Sequence, residues 1–122
     1  MPNLNNGSIA LNIFNSIAPL SSNISGLLVT IVDQNRYFVE NLTGDTIGNS
    51  IAEQYQLPIS DMATSQVLKL MAVQDTGVKT VTIGDLSTDN ANLMEMAKQF
   101  EQKAMFEIKS LQKGVRYYKA RG

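Results

Sequence analysis

Apolar residues recur along this chain at two distinct periods, and the switch between them marks the elements. Ile24, Leu27, Leu28, Ile31, Asn35, Phe38, Val39 and Leu42 follow three- and four-residue spacing, which puts them on one face of a helix. Ser22 or Asn23 is suited to cap its start, and Thr43-Gly44 supplies a glycine stop. Asp33, Arg36 and Glu40 fall on the opposite face at i,i+3 and i,i+4 spacing, the pattern of solvated surface pairs. A second helical region opens near Thr46 or Asn49, and Pro58 interrupts it because proline disfavours helix at the preceding residue. Beyond Pro58, Ala63, Val67, Leu70 and Met71 form a buried stripe that ends at Gly77. Two helices kinked at Leu57-Pro58, or one bent element, are expected.

The period then changes. Val78, Lys79, Thr80, Val81, Thr82 and Ile83 form a β-branched run, with Val81 and Ile83 on one face and Thr80 and Thr82 on the other. A lone strand of this length is not stable in water, so it needs a partner strand from this chain or a neighbour. From about Asp89 to Lys113 the helical period returns through Leu93, Ala97, Phe100, Ala104, Ile108 and Leu111, flanked by Met94, Met96 and Met105. Gly114 takes the position of a helix stop, and Lys109 and Lys113 suit the negative end of the helix dipole. The predicted fold is mostly α. It is a small three- to four-helix bundle with one short β-strand segment before the long C-terminal helix and an extended C-terminal tail.

Composition changes this picture mainly at the two ends. At 122 residues, 43% of them apolar, the chain has the size of one domain that needs no metal or disulfide to build a core. Met1 to Val32 contain no Asp, Glu, Lys or Arg, and the first part is rich in Asn and Ser. The asparagines break every apolar run, so neither a signal peptide nor a bilayer-spanning helix is expected, and the chain reads as soluble. Residues 1–23 are expected to form an uncharged arm, with at most a short helical turn around Ile9 to Ile17, that is either disordered or laid along another surface. A helical domain would occupy 24–113 and a basic tail 114–122.

The tail carries the strongest asymmetry. Lys109, Lys113, Arg116, Lys119 and Arg121 lie in the last fifteen residues, where no acid occurs, and the other 107 residues hold five cations against eleven anions. A net charge of −1 therefore conceals a −6 body and a +5 end. Within the tail, Val115, Tyr117 and Lys119 alternate with Arg116, Tyr118 and Ala120, as in a strand that could add to a partner's sheet edge. Arg and Tyr are also favoured interface anchors, and cations beside rings suit a nucleic-acid backbone.

Catalytic patterns are absent from the sequence. The chain has no His and no Cys, which removes the commonest general base, the pH switch and thiolate or imidazole ligands for zinc. "TGDTIGNS" lacks the Gly-Lys-Ser/Thr ending of a phosphate loop and reads as a helix stop followed by a cap. Asp85, Ser87, Thr88 and Asp89 lack the further acids of a calcium loop and read as a helix N-cap cluster. No catalytic residue, cofactor site or metal site is expected, and the methionines read as core fillers.

The order of these elements resembles a known family. A helix ending "DQNRYFVENLTG", a Pro-broken helix ending "VLKLMAVQDTG", a "VKTVTIGDLSTD" strand, a long amphipathic helix and a basic tail are similar to the head–tail connector (adaptor, or head-completion) proteins of tailed bacteriophages. The resemblance covers about residues 24–122, and the Asn-rich arm departs from it. It implies a non-enzymatic virion subunit, assembled in the host cytoplasm, that forms a ring, usually a dodecamer, under the portal. Such a ring extends the DNA channel without sequence-specific binding and links the head to a downstream neck or tail-completion protein. By this resemblance Val115, Arg116, Tyr117, Tyr118, Lys119 and Arg121 would contact the portal protein, and Val78 to Ile83 would contact a neighbouring subunit or the next neck component. The alternative reading is a small helical nucleic-acid-binding regulatory module that grips phosphates through its basic tail, which salt dependence would expose.

Overall fold

Asn5 opens the first helix, its side-chain oxygen accepting the amide of Ser8 at 2.7 Å. In the computed structural model, residues 3–74 and 80–121 are described, with side chains as far as Gln112. The first helix, α1 (Asn6–Ser16), leads directly into a short strand, β1 (Ile17–Ala18). Ser21 then caps a single turn, α2 (Ser22–Ser25), by accepting the Ile24 amide. Gly26 and Leu27 separate this turn from α3 (Leu28–Thr43), so the predicted helix over Ile24 to Leu42 begins with a break. Gly44 ends α3 with φ at 77°, and its N–H donates to the Glu40 carbonyl at 2.8 Å.

The fourth helix, α4 (Glu53–Gln74), runs unbroken through Pro58. An interior proline costs ~3 kcal/mol by removing one backbone donor and crowding the preceding turn. Pro58, Ile59, Met62 and Ala63 are all buried, and each large apolar side chain contributes ~1.5–3 kcal/mol on burial. Packing therefore outweighs the break. This helix is the hub of the fold: α1, α2, α3 and the last helix all pack on it.

Two more strands follow, β2 (Thr80–Ile83) and β3 (Leu86–Asp89), joined by Gly84-Asp85, with Gly84 at φ 59°. Val81 and Ile83 point inward and Thr80 and Thr82 outward, as the alternation predicts. The sheet is antiparallel in the order β1-β2-β3, with Ile17 opposite Ile83 and Val81 opposite Thr88. Both strands that pair with β2 thus come from this chain; β3 pairs along all of 80–83, whereas β1 reaches only Thr82 and Ile83. Val78 and Lys79 lie outside the described residues. Asp85, Ser87, Thr88 and Asp89 build the hairpin instead of a helix cap; Asp89 makes no side-chain capping bond.

A 3₁₀ turn (Asn90–Asn92) leads into α5 (Leu93–Arg121). Leu93, Ala97, Ala104 and Ile108 are buried as the period predicts, with Phe100 partly so. Gly114 does not stop the helix, which continues through the tail.

Two expectations are corrected. The N-terminal segment is not an accessory arm, because Ile9, Ala10, Ile13 and Ile17 are buried members of the one hydrophobic core. Nor are Asp33, Arg36 and Glu40 a solvated set. Arg36 is 5% exposed and donates to Asp33 Oδ1 at 2.9 Å and Glu40 Oε1 at 3.4 Å. The helix is rotated relative to its apolar spacing, leaving Leu27 and Phe38 partly exposed.

Candidate interaction groove

The first turns of α4 and the Phe106–Leu111 stretch of α5 line one groove, Leu57 from the former and Phe106 from the latter. Leu4 and Ile9 close the third side, since Leu4 is held by reciprocal backbone bonds to Ile51 at 3.0 and 2.7 Å. Together they enclose a groove of about 620 Å³ with a predominantly apolar lining. Leu57 and Phe106 stand half or more exposed at its lip, Phe106 at 72%. Glu53 and Glu107 contribute the acidic groups of the lining.

A carboxyl pair lies behind the Glu107 wall. Asp61, on the buried side of α4, is 5% exposed and hydrogen-bonded to Glu107. Burial, then the hydrogen bond and the charge of Asp61, push Glu107 up to about 7, against an opposing pull from Lys103. The Lys103 ammonium lies 3.5 Å from Asp61 Oδ2. Asp61 Oδ2 and Glu107 Oε1 are both buried, and apart from the contact between the two carboxyls neither accepts a hydrogen bond. Two carboxyls and one amine on facing helices can hold a proton or attract a cation. Among the described residues no cluster of three or more His, Cys, Asp or Glu could hold a metal ion.

The residues singled out from sequence are not brought together. Thr80 to Ile83 sit beside the start of α5, whereas Val115, Arg116, Tyr117, Tyr118, Lys119 and Arg121 belong to its far end. The 29 residues of α5 span about 44 Å at ~1.5 Å per residue. The side chains of that far end lie outside the described residues. Among those described, Gln112 is the last α5 side chain bonded to the bundle, donating to the Leu42 carbonyl. The "TGDTIGNS" loop offers no anion site through Ile47 and Gly48, whose amides donate to Glu40 Oε1 at 2.8 and 3.1 Å.

The groove was not foreseen because three separate segments build it, one of them the supposed arm. Asp61 gave no signal either, since it lies off the Ala63, Val67, Leu70 and Met71 stripe on a helix that is buried on more than one face. Among the described residues no helix is long and apolar enough to cross a membrane. Comparison with protein-family models, with curated proteins and with solved structures yields no match.

Proposed function

We propose that this chain is a structural virion subunit, a head–tail connector adaptor that forms a ring under the portal, extends the DNA channel and joins head to neck. The reading is supported chiefly by how α5 divides. Its first part is packed into the bundle as far as Gln112, and the same helix then carries a strip with four cations, two tyrosines and no acid. A helix bearing Arg and Tyr toward its end suits docking onto a larger assembly. An acidic body suits a channel wall, because a basic lumen would hold phosphates and slow the passage of DNA. The resemblance in element order supplies the identity of the assembly. The chain is structural in this reading, and 78–83 remains the segment proposed to contact a neighbouring subunit or the next neck component.

The deciding experiment is light scattering of the chain mixed with portal rings, beside a Met1–Lys113 truncation that retains every described core residue. The full chain should join the portal as a multi-subunit ring and the truncation should not. If both ignore portal rings while the full chain shifts duplex DNA at low salt, the regulatory reading replaces this one.

A further inference from the structure

The groove and the closing strip are chemically complementary. We propose that in the free protein the groove of one copy holds the 114–122 strip of a second copy. This deepens the proposed function and rests on it only in naming the portal as the rival receiver of the same strip.

Charge is the first argument. The groove wall contains Glu53 and Glu107 in a body of net charge −6, and the strip brings Arg116, Lys119 and Arg121 without an acid. The carboxyl pair is the second. Glu107 lines the groove with Asp61 hydrogen-bonded behind it, and a cation delivered against the Glu107 wall would favour the charged form of that pair. Shape is the third. A volume of about 620 Å³ lies within the ~300–1,000 Å³ of pockets that engulf small ligands, and Leu57 and Phe106 at the lip are suited to tyrosine rings.

The strip cannot reach the groove of its own chain. Phe106 and Glu107 form the groove wall on α5, and the same continuous helix carries the strip away from them through Arg121. The contact is therefore head-to-tail between copies, with two different surfaces meeting. Portal docking uses the same strip, so the two contacts exclude one another.

Sedimentation of the full chain tests this by subunit complementation. The wild type should gain mass with concentration and lose it as salt is raised from 50 to ~500 mM. Phe106→Lys puts a cation at an exposed lip position, and Arg116→Glu with Lys119→Glu reverses the strip. Each variant alone should sediment at the 13.4 kDa of one chain. An equimolar mixture should form a two-chain species, because each variant keeps the half that the other lacks. Far-UV circular dichroism checks that both variants fold. A wild type that stays monomeric at every concentration overturns the proposal, as does a mixture that stays monomeric. Phe106→Lys should still join portal rings; if it self-associates poorly yet also ignores the portal, as the wild type does, the connector reading fails and the self-contact stands.

Discussion

The Arg36 guanidinium donates to Asp33 and Glu40 from a nearly fully buried position, and it lies 4.3 Å from the centre of the Tyr37 ring. Its partners anchor other segments. Asn6 Nδ2 donates to Asp33 Oδ1 at 2.7 Å, tying α1 to α3, and Glu40 gathers the Ile47 and Gly48 amides of the loop before α4. Arg36→Met would leave two carboxylates facing each other and one loop less firmly held. With Asp33 partly open to water, a loss of about 2–3 kcal/mol is expected in urea unfolding. A loss below ~0.5 kcal/mol would show the network to be a surface feature after all. Acid should act through the same groups. The Arg36 hydrogen bond holds the Asp33 carboxyl below its ordinary value, and the Ile47 and Gly48 amides do the same for Glu40. Stability from both is present above their unfolded values near 3.8 and 4.5 and falls as pH drops through the folded ones. Glu107 works in the opposite sense. Its folded value of about 7 lies above the unfolded 4.5, so stability declines as pH rises between the two. The wild type should be most stable near pH 5, and Glu107→Gln should flatten the decline between pH 5 and 8. An unchanged slope in that variant would remove the carboxyl pair as its cause.

Helix boundaries followed local chemistry closely where a single residue decides them. Gly44 was legible as the stop of α3 because a left-handed residue is required there, and glycine adopts that conformation without steric cost. No atom lies within 4 Å of where its Cβ would stand, so Gly44→Ala meets only backbone strain. The melting curve should register about 1 kcal/mol of destabilisation, and Gly84→Ala at φ 59° should cost a similar amount. No shift in either would mean that the left-handed conformation is not needed. The inward residues of β2 and the buried stripe of α5 were equally readable, because each lies on one face of one element. Boundaries set by distant packing were not. Pro58 left open two kinked helices or one bent element, and α4 is a single element because the buried side chains around Pro58 hold it together. Gly114 predicts a stop that α5 passes through. The sheet was half visible: β2 announced its need for partners, but β1 is only two residues long and β3 reads as a capping cluster. The groove was invisible for a related reason, since its third side comes from a segment whose Asn-rich composition conceals Ile9 and Ile13.

The start of the molecule is built into its core. There Ile9, Ala10, Ile13 and Ile17 are buried, β1 pairs with Thr82 and Ile83 of β2, and the Ser16 carbonyl accepts the Gly84 amide. Among the described residues of α5, Ile108 is the last in the fully buried core, and Gln112 makes the last tie to α3. Truncating a buried isoleucine to alanine costs ~2–5 kcal/mol, whereas a whole domain is stable by only ~5–15 kcal/mol. A chain that begins at Leu20 loses three such isoleucines together with a strand. It should therefore show no cooperative thermal transition, and Ile13→Ala alone should lower stability by about 3 kcal/mol. A chain that ends at Lys113 should melt within a few degrees of the full-length protein, because only the far end of α5 is removed. Composition conceals the part played by the start, because an uncharged, Asn-rich segment reads as an arm. If the chain beginning at Leu20 melts cooperatively near the wild-type temperature, α1 is an accessory after all, and the groove it helps to wall is not part of the fold's framework. If it does not, the start of the chain is part of the framework that shapes the groove.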